Sequence, residues 1–531
     1  MPTFKIDGQE VPFEPGDSII RAAWRKGIEI PHYCWHPGLS VAANCRMCLV
    51  EVTSGRPMMM PILKWDPAKN DYVPAVKPKL QPACQTPAAE GLEIATKSPE
   101  VLKTQAAVQE FLLLNHPVDC PICDQAGECK LQDYWAAHQH RLKRKKTEPV
   151  HKPKGVRFGP TIVYDAERCI MCTRCIRVCN EVAKDPVLDM RERGNKNEIV
   201  LAPGRQLDHA YSLMTEHVCP VGALTSRDFR FKARVWFLKS APSVCGGCAT
   251  GCNAHVDFDP RNGKVYRLRP RDNEAVNKFW MCDDGMMSYR RQDEDRVLTA
   301  FVGRGDERVP AFVDEGLAAA TEAFQGVAKD RIAVVLSAAH STEDNHVAAR
   351  LAKQLGTAHV YLAAAPGWAG DAVLRNADAN PNRAGALAAA AGLEPKPLSA
   401  LLADVASGAV QGVVALGSVS EESLEALSPL AKLTAFVSVA THVGALPATA
   451  SVVLPAATHF ETNGTFVNAK GMAQRFRRAV TAPVDVEPAW HVLARLGHRL
   501  GVKLDYTRLE DVRGELERTG GALASLVEAR A

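Results

Sequence analysis

Apolar and polar positions change their rhythm along this chain. The opening residues alternate as a short hairpin, Thr3-Phe4-Lys5-Ile6 and Val11-Pro12-Phe13 about a turn at Asp7-Gly8. A helix is predicted to follow, capped by Asp17 or Ser18 and ended by Gly27, an opening that suits a β-grasp, ferredoxin-like module. From Pro99 to Leu114 the residues Val101, Leu102, Ala106, Val108, Phe111 and Leu112 recur at helical spacing, predicting a helix that delivers His116 and Cys120 at its carboxyl end. Beyond about residue 300, short apolar runs alternate with longer amphipathic ones. Ile332–Ser337, His359–Ala363, Val413–Leu416 and Ala435–Val439 read as buried strands, with helices over 342–355 and 420–432, the order of a parallel α/β sheet.

At 531 residues the chain is too long for one ordinary domain, and 46% hydrophobic with 23% charged residues is a globular composition. A net charge of +4 gives no reason to expect nucleic acid, and the basic run at 141–146 reads as a solvated linker. The amino terminus has no basic stretch leading into an apolar run, so a cytosolic start is expected. The longest apolar stretches, near Ile332–Ala339 and Ala435–Ala457, are short or interrupted, so any membrane association is expected to run through partners. No GxGxxG follows a strand and no GxxxxGK[ST] occurs, so nothing marks a nucleotide-binding turn.

The cysteines carry the chemistry. Fifteen of the 16, with one histidine, fall into four successive sets of four, all before Asp283. Cys34, Cys45, Cys48 and Cys84 have a spacing that can wrap a two-iron cluster. His116, Cys120, Cys123 and Cys129 form a three-cysteine run whose missing fourth ligand the histidine supplies; a neutral imidazole in place of a thiolate should raise the potential of a four-iron cluster. Cys169, Cys172 and Cys175 hold three corners of another cube. Cys179 and the remote Cys219-Pro220 compete for the fourth; Cys219 is assigned, as in ferredoxins that close the cube with a distant Cys-Pro, leaving Cys179 as a buried thiol. Cys245, Cys248, Cys252 and Cys282 make the fourth set, the last brought back by a hairpin turning at Arg261-Asn262-Gly263. Zinc also favours C-x2-C pairs. Three thiolates crowded into C-x2-C-x2-C, and four sets in a row, argue for iron–sulfur clusters and electron transfer instead.

The stretches IPHYCWHPGLSVAANCRMCLVEV, NHPVDCPICDQAGECKLQD, CIMCTRCIRVCNEV and HVCPVGALTS closely resemble the large iron–sulfur (G-type) subunit of bacterial NADH–quinone oxidoreductase, respiratory complex I. The resemblance implies one [2Fe-2S] and two [4Fe-4S] clusters on the first three sets. The fourth set, found in some bacterial members, implies a third [4Fe-4S] cluster off the main path. LPAATHFETNGTFVNAKGMAQ at 454–474 is similar to molybdopterin oxidoreductases, although Gly471-Met472 stands where those enzymes more often have Gly-Arg, and Cys179 stands where the family usually has no cysteine.

The expected architecture is α+β and α/β multidomain. A [2Fe-2S] ferredoxin-like domain spans 1–95, a His-Cys [4Fe-4S] domain 96–145, a ferredoxin-type [4Fe-4S] domain 146–237 and an additional [4Fe-4S] domain 238–295. A degenerate, truncated molybdopterin-oxidoreductase-like domain with a parallel sheet fills 296–531. The implied role is electron transfer from the flavin subunit toward quinone in the peripheral arm of a proton-pumping enzyme. This chain would hold no catalytic residue, flavin or molybdopterin of its own. The implied partners are the flavin/NADH-binding subunit, its [2Fe-2S] companion and the quinone-side subunits, at the cytoplasmic face of the inner membrane. The alternative is a diaphorase-type subunit of a soluble NAD-linked hydrogenase or formate dehydrogenase. A formate dehydrogenase catalytic subunit is disfavoured by the short, cysteine-free tail, and so is an iron-only hydrogenase.

Overall fold

In a computed structural model the described residues are 1–55, 57–138, 144, 148–419 and 421–518. Apart from Arg144, the basic run at 141–146 lies outside them, as does the end of the chain from 519. They form two compact units, Met1–Trp236 and Phe237–Ala531.

The first unit opens with the expected hairpin, β1 (Thr3–Ile6) and β2 (Gln9–Pro12), paired antiparallel. Asp7 and Gly8 both take positive φ, 48° and 84°, the turn that matches strand twist. Helix α1 (Ile19–Arg25) follows, and Ser18 is its cap position by backbone geometry. The predicted side-chain cap is not made. Asp17 instead accepts the Glu14 N–H and the forked guanidinium of Arg25. Strands β3 (Leu49–Ser54), β4 (Met59–Asp66), β5 (Asp71–Pro78), β6 (Gln81–Pro82) and β7 (Glu93–Ala95) complete the region. The sheet runs β2-β1-β7-β3-β6, whereas β4 and β5 pair only with each other as a separate ribbon.

Helix α2 (Pro99–Leu113) starts at Ser98, whose hydroxyl accepts the Val101 N–H. Its buried stripe is Val101, Gln105 and Gln109, one turn apart, while Phe111 is 73% exposed. The apolar periodicity thus locates the helix but not its inward face, because Gln109 turns in to donate to the Tyr33 hydroxyl.

In the second unit an antiparallel three-stranded sheet, Lys239–Val244, Asn253–Asp259 and Lys264–Pro270, carries the fourth cysteine set. Beyond it six parallel strands lie in the order Val452–Pro455, Ala435–Ala440, Gly412–Leu416, Ile332–Ser337, Val360–Ala363, Lys396–Pro397, with Ala300–Val302 and Val309–Ala311 antiparallel at one edge. Val334 and Leu336 pack into one apolar layer, Ala333 and Val335 into another. Both faces are therefore covered, which is why these strands read as unbroken apolar runs. The helix Thr342–Leu355 has the predicted bounds, set by the Ser341/Asp344 capping box and the left-handed Gly356. The helix expected over 420–432 is shorter: Leu424–Leu427 is α-helical and Ser428–Lys432 tightens to a 3-10 turn, since Pro429 has no N–H to continue the ladder.

Candidate iron–sulfur sites

The ligand loops of the first three cysteine sets hold non-glycine residues at positive φ: Ala43 (51°) and Arg46 (59°), Val118 (50°), and Met171 (55°) and Thr173 (62°). A β-branched residue such as Val118 avoids this region, so the surrounding structure must hold it there. Such curled loops turn several thiols, and some backbone N–H groups, toward one point. The Met171 N–H lies 3.4 Å from Cys169 Sγ, the Gly247 N–H 3.4 Å from Cys245 Sγ and the Gly285 N–H 3.3 Å from Cys282 Sγ, contacts that favour a thiolate over a thiol.

In the first set the thiols come together as two pairs. Cys34 lies within side-chain hydrogen-bond reach of Cys45, and Cys48 of Cys84. The hydrogen bond to the neighbouring thiol, with burial, holds Cys34 and Cys48 up, while accepting that hydrogen bond holds Cys45 and Cys84 down. Two thiolates at each of two positions is the ligand arrangement of a two-iron cluster.

The second set lines a cavity of about 500 Å³, into which His116, Cys120, Cys123 and Cys129 all face, with Trp135 and Gly222 among its walls. Burial pushes the His116 imidazole down to about 4, so it is neutral at pH 7 with a lone pair to give, and its Nδ1 is buried without a hydrogen-bond partner among the described residues. Burial pushes the Cys129 thiol up to about 11. Gly222 is a cradle: a Cβ there would stand 2.3 Å from Cys123 Sγ.

Cys169, Cys172, Cys175 and Cys219 line one closed pocket with Tyr164, Ile199 and Leu224. Cys179 is not among its walls. Its thiol sits in a π-helical turn, Val178–Ala183, 3.5 Å from His209 Nε2, and burial pushes it up to about 12. Cys245, Cys248, Cys252 and Cys282 line another closed pocket. Cys245 follows one strand of the three-stranded sheet, Cys252 precedes the next, and Cys282 caps the helix Asp283–Met287. Among the described residues no three or more His, Cys, Asp or Glu side chains gather closely enough for a single ion. The thiols ring voids instead, as fits a cube in which each thiolate meets a different iron. Thiols buried this way keep their protons until metal displaces them.

Several supporting residues could not be found by spacing. Arg177 donates to the carbonyls of Cys34 and Cys172, at 2.5 and 3.2 Å, and Arg174 to those of Trp35 and Val218. These two guanidiniums tie the first ligand loop to the third. Arg168, just before Cys169, makes a fork with Asp119, just before Cys120 (3.1 and 2.6 Å), tying the second set to the third. Beside the fourth set, Trp368 and Arg375 close the pocket, Arg375 lying over the indole at 4.7 Å and 3.3 Å from Asp284. The 454–474 segment grips the same ligand loop: Gln474 donates to the Gly251 carbonyl (2.8 Å), Asn468 to that of Thr250 (3.3 Å) and the Ala469 N–H to that of Ala249 (2.8 Å). Gly471-Met472 forms a turn there, with Gly471 at φ 75° and the Met472 N–H donating to the Asn468 side chain.

Five family models match in succession. They are a 2Fe-2S iron-sulfur cluster binding domain over 1–99, the NADH-ubiquinone oxidoreductase-G iron-sulfur binding region over 105–144, and the ferredoxin-like domain of NADH-quinone oxidoreductase subunit 3 over 159–225. A molybdopterin oxidoreductase Fe4S4 domain follows over 238–294, then a molybdopterin oxidoreductase model over 340–499. The G-type subunit of the NADH-quinone oxidoreductase of Streptomyces coelicolor is 35% identical over 355 residues, 66% of this chain and 39% of that protein. Its counterpart in Rickettsia felis is 34% identical over 66% of this chain and 49% of its own length, and subunit 3 of Thermus thermophilus 32% identical over 67% and 47%. The chain thus spans about half the length of the curated relatives it matches, or less. A chain of a solved NAD+-reducing [NiFe]-hydrogenase aligns at 28% identity over 44% of this chain and 91% of that one, with a TM-score of 0.36. On these relatives and the family models for their iron–sulfur regions, the chain belongs to the family of large, G-type iron–sulfur subunits of NADH-quinone oxidoreductases.

Proposed function

We propose that this chain is the electron-carrying subunit of a proton-pumping NADH:quinone oxidoreductase, relaying electrons from a flavin-bearing subunit toward the quinone-side subunits of its peripheral arm. In this reading Cys34, Cys45, Cys48 and Cys84 hold one [2Fe-2S] cluster. Three [4Fe-4S] clusters are held by His116, Cys120, Cys123 and Cys129; by Cys169, Cys172, Cys175 and Cys219; and by Cys245, Cys248, Cys252 and Cys282. When bound, the clusters supply one-electron centres at fixed positions. The chain's own part is to hold deprotonated sulfur in dry pockets, donate N–H groups to it and keep the sites in register through Arg168, Arg174 and Arg177.

The observation that carries the reading is that each of the last three ligand sets lines a single cavity, while the first gathers as two thiol pairs. No helix of the described residues is long and apolar enough to cross a membrane, which accords with a peripheral position at the cytoplasmic face of the inner membrane, reached through partners. The test is to purify the intact assembly anaerobically, add NADH and follow the iron–sulfur resonances of this chain by electron paramagnetic resonance. They should appear with the flavin subunit present and stay absent in the isolated chain given NADH alone. Reduction of the isolated chain by NADH would refute the assignment of roles.

A further inference from the structure

The short helix Arg174–Arg177 carries Cys175 of the third set and, one turn apart, two arginines whose guanidiniums turn toward the first ligand loop. Nη2 of Arg177 donates both to the Cys34 carbonyl at 2.5 Å and to the Cys172 carbonyl at 3.2 Å, so a single nitrogen meets a ligand residue of each set. Its Nη1 donates to the Ser40 carbonyl at 2.5 Å and its Nε to that of Thr173 at 3.3 Å. Arg174 spans the same two sets one residue further out. Its Nη2 donates to the carbonyl of Trp35, next to Cys34, and its Nη1 to that of Val218, next to Cys219, at 3.1 Å. Every one of these acceptors is an uncharged backbone carbonyl.

Arg177 is 8% exposed, and Arg174 is half-buried with its Nε shut off from solvent. Among the described residues neither guanidinium lies within ion-pair distance of a carboxylate. Arg168 marks the contrast: it meets Asp119 at 2.6 Å and Asp165 at 3.5 Å, so its charge is neutralised on the spot. Burying a cation without an anion is costly, and two like charges at i and i+3 add repulsion. The groups that face these cations instead are the thiols of both sets, since the Arg174 charge acts on the sulfurs of Cys34, Cys172 and Cys219. An iron–sulfur cluster held by thiolates is anionic, and taking up one electron adds one more negative charge without making or breaking a bond. A fixed cation beside it therefore favours the reduced form, and salt screens that attraction little in a buried site. Arginine keeps its charge at every working pH.

We propose that Arg174 and Arg177 are the shared counter-charge of the first and third clusters, holding the midpoint potentials of both above where the same thiolate sets would leave them. The proposal rests on the reading above that these two sets hold clusters. The experiment is a redox titration of the full chain, purified anaerobically, with the cluster resonances read by electron paramagnetic resonance at each potential in Arg177→Gln and Arg177→Lys. Glutamine keeps hydrogen-bond donors and loses the charge, whereas lysine keeps the charge and loses the fork. Arg177→Gln should lower the reduction equilibrium of both clusters at least tenfold, a fall of about 59 mV for a one-electron couple, and Arg177→Lys should leave both within about threefold of wild type. The second set, whose imidazole has Arg168 and Lys154 as its neighbouring cations, should not move in either variant. Unmoved midpoints in Arg177→Gln, equal shifts in the glutamine and lysine variants, or a shift confined to one of the two clusters would each overturn the proposal. Where Arg177→Gln assembles neither cluster, Arg174→Gln against Arg174→Lys decides by the same criteria, because Arg174 holds no carbonyl of a ligand residue. A wild-type chain showing neither resonance would contradict the functional reading and this inference with it; wild-type resonances whose midpoints are indifferent to the charge contradict only the inference.

Discussion

Replacing Gly222 with alanine tests the second ligand set with a single methyl group. The Gly222 backbone is not in the left-handed region, so alanine adds no conformational strain there. Its Cβ would lie 2.3 Å from Cys123 Sγ and 3.1 Å from Gln125 Cβ, where ordinary contact begins near 3.4 Å. Either the sulfur or the Gly222 backbone must therefore give by about 1.1 Å. A metal ligand tolerates a misplacement of only about 0.2 Å, and overpacking of this kind costs on the order of 1–3 kcal/mol. Gly222→Ala should thus lose the cluster held by His116, Cys120, Cys123 and Cys129, taking iron from ~14 to ~10 atoms per chain by cluster stoichiometry. Iron and sulfide analysis with electron paramagnetic resonance reads this directly, and the other signals report that the unit has folded. Gly285→Ala places a Cβ 3.1 Å from Cys245 Sγ and should perturb its signal mildly; Gly247→Ala, at 3.4 Å from the same sulfur, should be silent. Full iron and an unchanged spectrum in Gly222→Ala would show that Cys123 does not hold that cluster against Gly222.

Three more expectations can be checked with single variants. Cys219→Ser should abolish one four-iron signal while Cys179→Ser leaves all signals in place, because only Cys219 lines the pocket of Cys169, Cys172 and Cys175. Arg296 and Glu461 form a forked ion pair, 2.9 and 2.8 Å, with both side chains at most 5% exposed; Arg296→Met removes the counter-charge of a buried carboxylate, leaving it only the Gln292 and Thr458 donors, and should destabilise the second unit by about 3–5 kcal/mol in urea unfolding. Burial pushes the Asp344 carboxyl up to about 6 from 3.8, so the folded state holds its proton longer than the unfolded one. Stability should then fall as pH rises from about 4 to 6, and Asp344→Asn should flatten that slope, as measured by unfolding midpoints.

What is legible in the sequence is what short-range spacing encodes. The parallel strands stand out because both sheet faces are covered, and the helix Thr342–Leu355 because its caps lie within one turn of its ends. The ligand loops are legible because thiol spacing within a loop is a local constraint. Long-range contacts leave no periodic trace: Arg177 reaching the Cys34 carbonyl, Gly222 lying against Cys123 and Trp368 closing the fourth pocket each depend on chain segments far apart. The inward face of α2 escapes the apolar pattern because Gln105 and Gln109 take the buried stripe. The apolar face of the β4–β5 ribbon escapes it for the opposite reason, since its residues alternate as a strand should but with the apolar side turned to solvent.

Metal and acid-labile sulfide analysis of the anaerobically purified chain, with its dithionite-reduced resonance spectrum, shows whether these thiols and one imidazole hold iron and sulfide for electron transfer. Four filled sites give ~14 irons with sulfide in a roughly one-to-one ratio, one two-iron and three four-iron signals, and only traces of zinc. A colourless, zinc-bearing protein with no resonance after reduction would contradict it.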